Sequence, residues 1–109
     1  MLLSNFITLI KTVDPLITKN QGNGEVNYTT WSTGSAQNLM SDNQAEDSVQ
    51  RIYVDRFTLD GDEEFPKLMN ELLDNNFISF EDIHDYDETT KYYHHSFTCY
   101  VGQPEELED

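Results

Sequence analysis

Arg51-Ile52-Tyr53-Val54-Asp55-Arg56-Phe57-Thr58-Leu59 is the stretch that decides the fold. Its β-branched and aromatic residues make it the best strand in the chain. Asp60-Gly61-Asp62 follows with the chemistry of a turn and a helix cap. Phe65, Leu68, Met69, Leu72 and Leu73 then fall at i, i+3, i+4, i+7 and i+8, one apolar stripe, while Glu64, Lys67, Glu71 and Asp74 take the opposite side. Burying five such side chains is worth on the order of 10 kcal/mol before entropy is subtracted, so this helix anchors the core. Pro66 is tolerated because it sits in the first turn, where most backbone donors lack an intrahelical partner. Asn75-Asn76 offers the stop, since Asn accepts left-handed geometry better than most residues.

Upstream, Leu2, Phe6, Leu9, Ile10, Val13 and Ile17 recur at helical spacing, and Pro15 marks where that helix ends or bends. An amphipathic helix packed on the domain is expected. A membrane-surface helix would carry a basic polar face, and only Lys11 and Lys19 are present. Lys19 to Glu25 is turn chemistry, with Gly22 and Gly24 free to take positive φ. Val26 to Trp31 reads as a strand, and Ser32 to Gln50 as a long, polar, acidic loop.

Downstream, Phe77-Ile78-Ser79-Phe80 starts another strand. From Lys91 to Val101 the chain alternates Tyr93, His95, Phe97, Cys99 and Val101 inward against Tyr92, His94, Ser96, Thr98 and Tyr100 outward. The acidic stretch Glu81 to Thr90 is the expected hairpin connection between these two strands. Residues 1–102 form one α+β domain in this reading: a small, mostly antiparallel sheet of about four strands packed with two helices. Residues 103–109 form an acidic tail.

One domain fits 109 residues. Asp and Glu number 21 against 6 Lys and Arg, for a net charge of −15, and the imbalance is concentrated after Asp60. A surface of that sign repels duplex backbone and anionic lipid, which argues against sequence-specific nucleic-acid binding and against membrane binding. Mimicry of nucleic acid, or lining a path along which DNA passes without sticking, stays open. A single cysteine, Cys99, excludes an intramolecular disulfide and a cysteine-based zinc site.

His84, Asp85, Asp87, His94 and His95 are conceivable metal ligands. Adjacent His94 and His95, however, point to opposite faces of a strand, and the set matches no usual zinc spacing. Asp60 to Glu64 lacks the ligand register of a calcium loop. No phosphate loop, nucleophile elbow or Ser-His-Asp context is visible, and Cys99 has no evident base, so neither catalysis nor a cofactor is expected. The aromatic surplus points elsewhere. Tyr28, Trp31, Tyr53, Tyr92 and Tyr100 cannot all bury in one small core beside Phe57, Phe65, Phe77, Phe80 and Phe97. With Leu39 and Met40 they are candidates for a protein interface.

The order of elements, with Ser41-Asp42 and Glu46-Asp47 ahead of Arg51 to Thr58, the helix ending Leu72-Leu73-Asp74-Asn75-Asn76-Phe77, and then Asp85-Tyr86-Asp87-Glu88-Thr89-Thr90-Lys91-Tyr92-Tyr93-His94-His95-Ser96-Phe97, resembles the tail terminator or tail-completion family of long-tailed phages. The likeness covers most of residues 41 to 100. Asn76 stands where that family's helix usually closes on Gly. The resemblance implies a virion subunit, made in the host cytoplasm, that assembles as a hexameric ring on the head-proximal end of the tail tube. Such a ring stops addition of the major tail tube protein and presents a surface to the head completion or connector protein. DNA would pass through without specific binding, and Asp82, Asp85, Asp87 and Glu88 would be the acidic lining of that channel. A phage-encoded acidic inhibitor of the anti-restriction or anti-CRISPR kind is the rival reading, although here the first half of the chain is nearly neutral.

Overall fold

The computed structural model describes residues 3–38, 48–61 and 64–102, with backbone alone at 35–38 and 48. In chain order the elements are α1 (Leu3–Ile10), β1 (Thr18–Lys19), β2 (Tyr28–Asn38), β3 (Ser48–Thr58), α2 (Glu64–Asn75), β4 (Ser79–Asp87) and β5 (Tyr92–Gly102). They build a five-stranded sheet in the order β1-β2-β3-β5-β4. The long strands pair antiparallel, and the two-residue β1 pairs parallel with β2, so the sheet is mixed. The α+β class with two helices is as expected. The extra strand is too short to leave a period in the sequence. The expected tail at 103–109 and the cap at Asp62 lie outside the described residues.

Residues directly opposed in an antiparallel pair share a face. On one face, Ile52 and Val54 of β3 and Phe97, Cys99 and Val101 of β5 join Phe6 and Ile10 of α1 and Phe65, Met69 and Leu73 of α2 in a single buried cluster. Both helices therefore lie on the same side of the sheet. The expected inward alternation along β5 holds, and it relaxes only toward the hairpin, where Tyr93 is 46% exposed. The α2 stripe is narrower than its spacing predicts. Met69 is fully buried while Leu68, one position back, is 39% exposed.

α1 ends at Ile10, well before Pro15. The amides of Thr12 and Val13 bond the carbonyls of Leu9 and Ile10, three residues back, so the last turn tightens out of α geometry. Asp14 then accepts the Leu16 amide at 3.0 Å. Arg56 Nη1 ties this turn to the sheet, 3.3 Å from Asp14 Oδ2 and 3.1 Å from Thr29 Oγ1.

Three further expectations are corrected. Residues 32–38 and 48–50 are strand rather than loop, paired from Ser32↔Tyr53 to Asn38↔Ser48 with an irregularity between Thr33 and Ala36. Small polar side chains hid this, because pairing of β2 with β3 runs through backbone groups that need no apolar neighbours. The remaining part of the expected loop, with Leu39 and Met40, lies outside the described residues. Residues 81–87 likewise belong to β4, and only 88–91 form the connection. Acidic residues suit an exposed sheet edge, where charge discourages pairing with another chain. Finally, the left-handed residue after α2 is Phe77, at φ 57°, not Asn75 or Asn76. The Asn76 amide still bonds the Leu72 carbonyl, which keeps Asn76 in the helical ladder, while Phe77 N and Ile78 N bond back to Asp74 O and Leu73 O. That pair of reverse bonds is a Schellman closure, and it shifts the left-handed position one residue on.

Candidate functional site

The register places Tyr28 and Ser32 of β2, Arg51, Tyr53, Asp55 and Phe57 of β3, Tyr92, His94 and Tyr100 of β5, and Ile83, Asp85 and Asp87 of β4 on the face opposite the helices. Among the described residues no helix covers this face. Its aromatic side chains pack on one another. Tyr28 stacks on Phe57 at a centroid distance of 5.0 Å, Tyr92 meets both edge-on at 6.2 and 6.5 Å, and the His94 ring lies flat on Phe57 at 4.4 Å.

Three local features fix the cluster. The Tyr92 hydroxyl donates to the Val26 carbonyl at 2.7 Å, tying β5 to the loop ahead of β2. Gly22 in that loop approaches the Tyr28 ring so closely that a Cβ would lie 3.0 Å from it. His94 Nε2 donates to Asp55 Oδ1 at 2.8 Å. Farther along the face, Tyr53 lies across β2 over Gly34, where a Cβ would come within 2.8 Å of the phenol oxygen.

Of the residues singled out from sequence, Tyr28, Tyr53, Tyr92 and Tyr100 share this open face. Trp31 does not. It lies on the helix face opposite Val54, packed half-buried against the core, with Lys19 Nζ 5.2 Å from its ring centre. Phe57, His94 and Asp55 were not singled out for this surface, although the alternation of β3 against β5 would have placed them there.

The four acidic residues are split. Asp82 sits on the helix-side face and bonds His95 Nε2 at 3.0 Å, whereas Asp85 and Asp87 are on the open face and Glu88 is in the turn. Asp87 also builds that turn. Its Oδ1 accepts the amides of Thr89 and Thr90 at 2.8 and 3.3 Å, and the chain closes through Lys91 at φ 68°.

His94 and His95 point to opposite faces, as their adjacency on a strand requires, and His95 stacks on Phe97 and neighbours His84. Among the described residues no group of three or more His, Cys, Asp or Glu is placed to hold a metal ion. Cys99 is buried on the core side, and desolvation pushes its thiol up to about 12, so at neutral pH it is a neutral packing group. No described helix is long and apolar enough to cross a membrane.

No family model matches this chain. No curated protein matches it either. The open face is thus characterised by its own chemistry: aromatic rings pinned by hydrogen bonds, flanked on the β4 side by Asp85, Asp87 and Glu88.

Proposed function

We propose that the protein is a structural subunit of a phage tail that caps the head-proximal end of the tail tube as a ring, ends tube polymerisation and offers a joining surface to the head connector. The observation that carries this reading is the sheet face that no described helix covers, on which Tyr28, Tyr53, Phe57, Tyr92 and Tyr100 are aligned by strand register. Aromatic side chains are enriched where protein surfaces meet, and a small subunit with both helices on one side gains stability by covering the other. The α+β class, with two helices on one side of a small sheet, is the class of subunit that the resemblance to tail terminators implies.

In this reading the acidic β4–β5 hairpin borders the channel, and its carboxylates keep the DNA backbone from sticking. Charge reversal at Asp85 and Glu88 then slows DNA ejection, and unchanged ejection kinetics would count against the lining role. The reading as a whole is tested by deleting the gene in the phage that encodes it and imaging the lysate by negative-stain electron microscopy. Overlong or headless tails are expected. Normal virions that fail only on hosts carrying a defence system would overturn the proposal in favour of an acidic inhibitor.

A further inference from the structure

Between the Tyr28–Phe57–Tyr92 cluster and the β4–β5 hairpin lies a groove of about 580 Å³. Aromatic rings and the His94 imidazole line it together with Asp85, Asp87 and Glu88. Among the described residues, no lysine or arginine lines it. We propose that this groove binds a lysine or arginine side chain presented by a protein partner.

Aromatic faces carry negative quadrupole density, so they attract a cation and repel a carboxylate or phosphate. The three flanking carboxylates act in the same direction. A long basic side chain satisfies both parts of the groove at once, with its aliphatic stem along the rings and its charged head among the carboxylates. A neutral apolar side chain uses only the rings. An anion is excluded by both.

The groove is built before any ligand arrives. The Tyr92 hydroxyl is anchored on Val26 O, Phe57 is held between Tyr28 and His94, and the Asp87 carboxylate is fixed by the amides of Thr89 and Thr90. Little side-chain entropy is left to lose on binding. The partner's chemistry follows from charge: at −15 a second copy of this chain brings like charge to the same surface, whereas a basic partner is drawn to it. The inference rests on the open sheet being a docking face, and not on the assignment to a phage tail.

The test is a two-dimensional NMR titration of the intact protein with N-acetyl-arginine methylamide and N-acetyl-lysine methylamide, using N-acetyl-norleucine methylamide as the neutral control. The expected result is saturable shifts at Tyr28, Phe57, Tyr92 and Glu88 for the two cations, with affinity about three- to fivefold above the neutral compound. Asp85→Asn combined with Glu88→Gln removes that preference. Both positions are solvent-exposed, so the fold survives the change. Tyr28→Leu weakens all three ligands, and Glu71→Gln, exposed on α2 on the other side of the sheet, leaves them unchanged.

Equal shifts from the neutral compound would overturn the proposal. So would cation shifts spread evenly over Glu64, Glu71 and Asp74 of α2, or concentration-dependent self-association that perturbs the same groove without any cation. Failure of the tail reading is distinguishable. Normal tails in the deletion phage leave a positive titration standing, and a null titration leaves overlong tails unexplained by this groove.

Discussion

His94 Nε2 stands 2.8 Å from Asp55 Oδ1 on the adjacent strand, diagonal to it in the ladder, while the same imidazole lies flat on Phe57. One hydrogen bond and one ring contact thus join the side chains of β5 and β3 on the side of the sheet that no described helix covers. Both side chains are partly solvated, at 33% and 22% exposure. Asp55→Ala and His94→Ala are each expected to lower unfolding free energy by about 1 kcal/mol. A double-mutant cycle read by urea denaturation checks the coupling, and strict additivity would show that the pair contributes nothing jointly.

Phe77 is 96% exposed at φ 57°. It takes on the strain of a left-handed closure without any burial in return. Phe77→Gly is expected to raise stability by about 1 kcal/mol, because glycine enters that region without a Cβ clash. Chemical denaturation measures it. If the same variant also assembles poorly, the exposed ring serves a contact and the strain has a function.

Met69 and Leu68 occupy adjacent positions of α2 and differ in burial, 0% against 39%. Met69→Ala is expected to cost about 2–5 kcal/mol and Leu68→Ala about 1 kcal/mol or less, measured by thermal or urea unfolding. In a domain with this little core, the first is enough to populate the unfolded state at room temperature.

Cys99 ionises in the folded protein only near 12, against an ordinary value of 9.0. The fold favours the neutral thiol, so this contribution is complete below pH 9 and disappears as pH rises through about 12. Stability is expected to fall with alkaline pH over that window and to be independent of this group near neutrality. At pH 8 a disulfide reagent should leave the native protein untouched and titrate one thiol after unfolding in urea.

In the proposed ring every added subunit would bring a charge of −15. Assembly in the proposed role is therefore expected to require salt or divalent cations, which shorten the range of repulsion. Sedimentation across ionic strength reads this directly. Stable rings of the isolated protein at very low salt would contradict it.

Legible in the residues alone are the elements whose side chains must reach a core. β3 at Arg51–Thr58, α2 from Phe65 to Leu73 and the alternation of β5 are legible because burial leaves a period of 2 or 3.6 in the residues that bury. Much of the strand extent was not legible. Ser32–Asn38 and Glu81–Asp87 pair through backbone groups, and Glu81–Asp87 is exposed on an edge strand, so nothing periodic marks these stretches. The same limit applies to the candidate site. Tyr28, Tyr53, Tyr92 and Tyr100 could be counted as surplus aromatics from composition, but only the register decided that these four share a face while Trp31 turns to the core. Register also separated Asp82 from Asp85 and Asp87, residues that are near neighbours along the chain. A strand sends successive side chains to opposite faces, so which residues meet is a property of strand pairing, and which face stays open depends on where the helices pack.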